Sequence, residues 1–222
     1  MGRLLIVNGS PRAPRSNSRR YIEYLLQNWK GAADQYAAVS GGPVSFELYT
    51  DLLLVFPLYV DGVPAVLLPF LKTLAAWDGT PRPRVHVLVN CGFLEPEQNQ
   101  VAVKMVRFFC KRYGFPWGMT LRIGSGEAIL DTPFAWFAHR GIRRLAAGMQ
   151  SGRSEVVSVR MPLSKALFVR ASTRYWSGYG AKNHMNTLVR RGCMKPETIW
   201  ELFCRTGEPL VYLIYQAARS GM

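Results

Sequence analysis

The chain has 222 residues, of which 49% are hydrophobic and 19% are charged, so its composition excludes a disordered protein. With 28 lysines and arginines against 14 aspartates and glutamates, the formal net charge is +14. This charge favours an anionic partner, but it does not choose among phosphate-bearing cofactors, nucleic acid and anionic membranes.

The basic charge is concentrated towards the C-terminus. Residues 151–222 carry 11 basic and 4 acidic side chains, whereas residues 1–150 carry 17 and 10. The four cysteines form no CxxC pair, which argues against a zinc knuckle or a closely spaced iron–sulfur cluster, and no metal site is predicted. The start of the sequence shows no secretory signal, so we expect free thiols and a cytoplasmic protein.

Short apolar runs predict buried strands, and amphipathic segments between them predict helices. The predicted strands are residues 3–8, 51–56, 84–90 and 117–123, with a weaker one at 36–39. The predicted helices are residues 18–30, 64–77, 97–113 and 132–147. In the helix at 97–113, the side chains predicted to face inward are Val101, Met105, Phe108 and Phe109.

Strands that alternate with helices through residue 150 are typical of an α/β protein with a doubly wound parallel sheet, here of five strands. Residues 151–159 are a further strand candidate, and short helices are predicted at 161–172, 182–191, 197–204 and 210–218. We therefore predict a domain of residues 1–150 and a basic helical C-terminal extension, residues 151–222, packed on that core.

Residues 52–71 are long and apolar enough for a membrane span and contain a single charge, Asp61. However, Pro57, Pro64 and Pro69, together with the turn-forming pair Asp61-Gly62, argue against one continuous helix. This segment is better explained as a buried strand, a loop and a helix.

In an open parallel sheet, ligands bind beyond the carboxyl ends of the strands, so three loops are candidates for a site. The first, residues 9–18, joins a strand to a helix and offers hydroxyl, amide and guanidinium groups to an anion: Ser10, Arg12, Ser16, Asn17 and Ser18. The alternative is that Ser16 or Asn17 merely caps the helix. Neither a Walker motif nor a GxGxxG fingerprint is present.

The second loop, residues 57–63, contains Tyr59, which either stacks on a flat ligand or covers the core. In the third loop, residues 90–97, Gly92 permits close approach of a ligand to the backbone, and Asn90 offers polar contacts. Cys91 is interpreted as an incidental thiol, because no histidine lies near it in a position typical of nucleophilic catalysis.

As a set, GSPRxxxSNS at residues 9–18, FPLYVDGVP at 56–64 and NCGFLE at 90–95 resemble the flavodoxin-like NAD(P)H-dependent FMN reductases and quinone reductases. Residues 161–183 are similar to the C-terminal part of flavodoxin-fold oxidoreductases related to iron–sulfur flavoproteins, although the cysteine cluster of that branch is missing. The resemblance implies a flavodoxin-like sheet of order 2-1-3-4-5, and electron transfer from NAD(P)H through FMN to a quinone-like or other small acceptor.

The resemblance also implies roles for individual residues. The FMN phosphate would be held by Ser10, Arg12, Ser16, Asn17 and Ser18. The ring and ribityl chain would lie along Pro57, Leu58, Tyr59 and Val60. The pyrimidine edge would face Asn90, Cys91, Gly92 and Phe93. No acid–base residue is identified.

Other readings of the sequence remain open. A non-catalytic flavodoxin-fold module could use the same loop for a phosphate-bearing ligand, and the basic charge leaves nucleic acid or a peripheral membrane contact open, although no recognised nucleic-acid motif is present. The aromatic stretch 175–179 predicts a homodimer.

Overall fold

The computed structural model describes residues 2–182 and the single positions 197, 200 and 201. The chain divides into two compact units, Met1–Pro162 and Leu163–Met222. The helix predicted at 210–218, and the helices predicted at 182–191 and 197–204 apart from the positions just named, lie outside the described residues.

The first unit contains a parallel sheet whose strands are ordered β2-β1-β3-β4-β5-β6. Its strands are β1 (Leu4–Asn8), β2 (Ala33–Ala37), β3 (Asp51–Pro57), β4 (Arg84–Asn90), β5 (Trp117–Ile123) and β6 (Val156–Val159). Its helices are α1 (Asn17–Gln27), α2 (Leu68–Ala76), α3 (Gln100–Tyr113) and α4 (Ala135–Gln150). The second unit contributes α5 (Lys165–Lys182).

The sheet has six strands, so the predicted number of five is wrong. The sixth, β6, comes from the strand candidate at 151–159 and pairs with β5 from Thr120 to Ile123. The weak strand predicted at 36–39 is displaced: β2 occupies Ala33–Ala37 and pairs with β1 along its whole length. An edge strand with the sequence ADQYA has little apolar pattern, because none of its residues is fully buried.

Helices cover both faces of the sheet. Helices α2 and α3 share one buried cluster with alternate residues of β1, β3 and β4. Helix α1 packs beside α4 on the opposite face, where the rings of Tyr24 and His139 stack with centroids 3.8 Å apart. The connection β5–α4–β6 therefore has the opposite hand to β3–α2–β4 and β4–α3–β5, although nearly all such connections in proteins are right-handed.

The predicted orientation of α3 is wrong for three of its residues. Val101, Met105 and Phe108 are exposed, and only Phe109 lies partly within the core. The buried face is instead the stripe of small side chains Ala102, Val106 and Cys110. These side chains lie four residues apart on one face of the helix, and their small size lets the helix approach the sheet closely.

In the second unit, α5 is a single helix that runs from Lys165 through residues 175–180, whereas the predicted short helix ends at residue 172. Ser164 precedes it, and its Oγ accepts a hydrogen bond from the N–H of Leu167 at 3.3 Å. No helix in the described part of the chain is long and apolar enough to span a bilayer. Residues 52–71 form a strand, a loop and a helix.

Candidate functional site at the carboxyl edge of the sheet

The loop after β1 is a tight turn held by its own polar groups. The N–H of Ser10 donates to Asn8 Oδ1 at 3.1 Å, and Ser10 Oγ accepts from the N–H of Arg12 at 3.2 Å. At Gly9, a Cβ atom would lie 3.1 Å from the Cβ of Phe56, so a side chain there would crowd β3. Ser10 is buried, whereas the Arg12 side chain is exposed beyond the turn.

The start of α1 uses two of the predicted phosphate ligands for structure. Ser16 Oγ accepts from the N–H of Arg19 at 3.2 Å and donates to the carbonyl of Ala13, so Ser16 does cap the helix. The side-chain amide of Asn17 donates to the carbonyl of Glu127 at 2.9 Å. Ser18 is different, because its hydroxyl is buried and has no hydrogen-bond partner among the described residues.

The loop after β3 ends in a two-residue turn. The N–H of Gly62 donates to the carbonyl of Tyr59 at 2.9 Å, while Val60 (φ 47°) and Asp61 (φ 56°) adopt left-handed conformations. The Val60 side chain is fully exposed, and Tyr59 is 38% exposed. Because left-handed backbone is unfavourable for a β-branched residue, the turn holds Val60 outward at a conformational cost.

The loop after β4 is fastened to both of its neighbours. The N–H of Leu58 donates to the carbonyl of Asn90 at 2.8 Å, which joins it to the loop after β3. On the other side, the N–H of Gly126 donates to the carbonyl of Cys91 at 2.7 Å. Phe93 remains 55% exposed between these connections. The three predicted loops therefore lie at one edge of the sheet.

Cys91 does not contribute a reactive group. Its side chain is buried, and its Sγ accepts a hydrogen bond from Asn99 Nδ2 at 3.3 Å. Burial raises the pKa of the Cys91 thiol to about 11, so the thiol stays protonated at neutral pH. Within residues 2–182, no group of three or more His, Cys, Asp or Glu side chains is arranged to bind a metal ion.

A fourth loop, residues 124–131 after β5, belongs to the same edge and was missed by the sequence analysis. Ser125 (φ 57°) is buried, and the hydroxyl of Tyr21 in α1 donates to the carbonyl of Gly126 at 2.7 Å. A Cβ atom at Gly92 would lie 3.2 Å from Glu127 Oε2, so this carboxylate lies against the loop after β4. The sequence does contain a feature that predicts this loop, because Gly124-Ser125-Gly126 follows a predicted strand at this edge.

Ionic contacts also connect this loop to α1. The guanidinium of Arg20 donates to both carboxylate oxygens of Asp131, at 2.7 and 3.0 Å, and holds the pKa of that carboxyl below its usual range. Arg12 and Arg15, by contrast, are exposed and pair with no acidic side chain among the described residues. The rim of the first loop is therefore positively charged.

Four buried polar atoms at this edge have no hydrogen-bond partner within the described part of the protein: Ser18 Oγ, Asn90 Oδ1, Asn99 Oδ1 and Ser125 Oγ. They come from α1, the end of β4, the turn before α3 and the loop after β5. A buried polar group without a partner costs about 1–3 kcal/mol, and folded proteins seldom leave one. These atoms are therefore candidate ligand contacts at the carboxyl edge.

No family model matches the sequence, and no curated protein matches it either. Solved structures do resemble it. A flavodoxin from Streptococcus pneumonia TIGR4 is 12% identical, with a TM-score of 0.53 over 68% of this chain and 99% of that one. The chain has a flavodoxin-like fold.

Two other structures with this flavodoxin-like fold bear the names of enzymes. An NAD(P)H:quinone oxidoreductase from Methanothermobacter marburgensis is 14% identical, with a TM-score of 0.52 over 67% of this chain and 97% of that one. The apo form of an NADH:FMN oxidoreductase is 15% identical, with a TM-score of 0.50 over 70% and 92%. The flavodoxin-like architecture predicted from the loop motifs is thus confirmed, with β6 as an additional strand.

Proposed function

We propose that this protein is an FMN-binding oxidoreductase that transfers electrons from NAD(P)H to a quinone-like or other small acceptor. The observation that carries the proposal is the set of buried, unpartnered oxygens of Ser18, Asn90 and Ser125 at the carboxyl edge of a flavodoxin-like sheet. Flavodoxin-like folds bind FMN at this edge. The names of two structures that share the fold support the same class of reaction.

The residues present suit the two ends of FMN. Arg12 and the Ser18 hydroxyl, next to the positive end of the α1 dipole, would hold the phosphate. Ser16 would act mainly by capping α1, because its hydroxyl already donates one hydrogen bond and accepts another. Tyr59 and Phe93 would flank the ring, and Asn90 and Ser125 would meet its polar edge.

FMN, when bound, supplies reversible two-electron chemistry. The chain orients the ring and the substrates and sets the charge around them. The exposed arginines of the first loop would attract the phosphates of a dinucleotide, so the reaction rate should fall as salt is added. The raised pKa of Cys91 gives this thiol no role as an acid or base near pH 7.

The proposed FMN site is tested by titrating FMN into the wild type and two matched variants. Arg12→Ala should lose a charged hydrogen bond, worth about 1.5–3 kcal/mol, and bind FMN roughly ten- to hundred-fold more weakly. Arg15→Ala removes an exposed arginine from the same loop and should bind like the wild type. Equal affinities for Arg12→Ala and the wild type would remove Arg12 from the site.

Turnover is tested separately. Anaerobic mixing of FMN-loaded protein with NADH or NADPH should bleach the absorption band of oxidised flavin, and a quinone should restore it. If a chemical reductant bleaches the band but neither nucleotide does, the protein is a non-catalytic module that binds a phosphate-bearing ligand.

The state and location of the protein are further parts of the proposal. The aromatic sequence at 175–179 supports a homodimer, and the free thiols of Cys91 and Cys110 suit a cytoplasmic protein. Sedimentation at micromolar concentration should show a species of twice 25.0 kDa. A species of 25.0 kDa alone would contradict the dimer.

A further inference from the structure

Helix α3 exposes an apolar ridge that the core does not use. Val101, Met105 and Phe108 are 52%, 46% and 66% exposed, and their spacing of four and then three residues aligns them on one side of the helix. We call these three side chains the α3 ridge. Exposed apolar side chains are ordinary when scattered, but a continuous line of them marks an interaction surface.

A row of cations lies beside the α3 ridge. Lys104, Arg107 and Lys111 are exposed on the neighbouring side of the helix, and Arg112 ends the ridge. Helix α3 contains no acidic residue, and none of these cations forms an ion pair within the described residues. A groove of about 500 Å³ runs along this side of the helix, lined by Lys104, Arg107, Phe108, Cys110, Lys111, Phe115 and Trp117.

The apolar surface continues beyond the helix into the turn after β3. A Cβ atom at Gly62 would lie 3.5 Å from Met105 Sδ, so the turn rests against the α3 ridge. At the tip of that turn, Val60 is fully exposed and is held there in a left-handed conformation. The apolar surface therefore reaches from α3 to the carboxyl edge of the sheet.

The charge of this surface selects its partner. A second copy of the chain would bring another +14 charge against the cations of α3, which disfavours a face-to-face pair of these surfaces. Nucleic acid would satisfy the cations, but the aliphatic side chains of Val101, Met105 and Val60 would gain little from phosphates and sugars. An anionic bilayer satisfies both, because its headgroups attract Lys and Arg and its interface accepts apolar side chains.

We propose that the α3 ridge and its flanking cations dock this protein on an anionic lipid bilayer. The docking needs no bound flavin. The test of vesicle binding is therefore independent of the test of oxidoreductase activity. It would place the carboxyl edge of the sheet beside the lipid surface, where apolar electron acceptors dissolve.

The test is cosedimentation of the full chain with lipid vesicles. Vesicles of equal parts phosphatidylglycerol and phosphatidylcholine should carry the protein down, pure phosphatidylcholine should not, and added salt should release it. Lys104→Gln/Arg107→Gln should lower the partition coefficient roughly 30-fold, from about five-fold for each cation. Phe108→Ser should lower it as well, because it removes the most exposed side chain of the ridge.

Helix α4, on the opposite face of the sheet, supplies matched controls. Arg140→Gln/Arg143→Gln removes the same charge at the same spacing, and Trp136→Ser removes an aromatic side chain that is 51% exposed. Both should bind vesicles nearly as the wild type does, and circular dichroism should show that all variants are folded. Equal losses in the α3 and α4 variants, or no binding to anionic vesicles, would overturn the proposal. It would also be overturned if duplex DNA, and not vesicles, bound in a manner that required Lys104 and Arg107.

Discussion

Ser16 and Ser18 lie two residues apart at the start of α1, yet their hydroxyls have different surroundings. Ser16 Oγ caps the helix, whereas Ser18 Oγ is buried without a partner in the described structure. We expect Ser16→Ala to lower the free energy of unfolding by about 1 kcal/mol, the usual cost of a lost N-cap. Ser18→Ala should leave the apoprotein as stable as the wild type and weaken FMN binding about ten-fold, the scale of one neutral hydrogen bond.

Chemical denaturation of the apoproteins and FMN titration distinguish the two serines. A loss of stability in Ser18→Ala without any loss of FMN affinity would contradict a ligand-binding role for its hydroxyl. The sequence pointed to both serines with the same motif. Only the position of each hydroxyl relative to the first turn of α1 separates the cap from the candidate ligand, and a motif alone does not contain that information.

Val60 occupies a backbone conformation that suits Asn or Gly better than valine. Type I′ turns require positive φ at both central residues, and a β-branched side chain adds strain there. Val60→Asn should therefore raise the free energy of unfolding by about 1 kcal/mol. Because Val60 belongs to both proposed surfaces, the same substitution should weaken FMN binding and vesicle binding. Asp61→Asn is the control, because Asp already tolerates this conformation. A Val60→Asn variant that is no more stable than the wild type would show that the turn is unstrained.

At the scale of elements, His86 in β4 joins the two neighbouring strands, β3 and β5. Its Nδ1 accepts the N–H of Met119 at 2.8 Å, so Nε2 carries the proton and donates to Asp51 Oδ1 at 3.0 Å. A Cβ atom at Gly118 would lie only 2.3 Å from this ring. Gly118→Ala should lower the free energy of unfolding by about 1–3 kcal/mol, the usual cost of overpacking a core.

Gly148→Ala provides the comparison in urea denaturation. The three atoms nearest its added Cβ all belong to the Met119 side chain, whose flexible end can move away, and alanine favours the α4 helix. Gly148→Ala should therefore cost less than Gly118→Ala. If the two variants lose equal stability, contact with the His86 ring is not what requires glycine at position 118.

The same contact gives β3 a dependence on pH. Burial raises the pKa of Asp51, but hydrogen bonds from His86 and Thr50 outweigh it and hold that pKa below its usual value. The stabilisation from Asp51 is then complete above pH about 4, and it is lost as the pH falls through the lower folded value. Asp51→Asn should flatten the stability–pH curve below pH about 4, whereas Asp78→Asn, at an exposed carboxylate, should not. Parallel curves for Asp51→Asn and the wild type would contradict this.

The elements that the sequence predicted well are those whose pattern follows from burial. β1, β3 and β4 are mostly apolar runs because helices cover both of their faces, so their positions could be read directly. In β5, Gly118, Thr120 and Arg122 alternate with apolar residues. β2 could not be, because an edge strand is only partly buried. The orientation of α3 failed for a different reason: the helix has two apolar stripes, and periodicity alone does not show which one faces the sheet.

At the scale of the whole first unit, β6 is added outside a sheet of order 2-1-3-4-5 that already has the flavodoxin-like arrangement. We expect a chain that ends after Gln150 to keep its far-ultraviolet circular dichroism and cooperative unfolding. It should be less stable, because it loses the buried side chains Val157 and Met161. A truncated chain without cooperative unfolding would show that β6 is essential to the sheet.

The added strand also changes where the ends of the first unit lie. Gly2 and Gln150 line the same cavity of about 370 Å³ at the amino edge, but β6 is parallel and carries the chain back to the carboxyl edge at Val159. A circular permutant of residues 2–150 could therefore be closed with a short linker. One that retains β6 would need a linker spanning roughly 23 Å, along the short strand β6 and across the four strand spacings that separate it from β1. Without β6, the two ends of the first unit would lie close together at the amino edge. With β6, the C-terminal end of the sheet lies at the carboxyl edge, where the candidate site is.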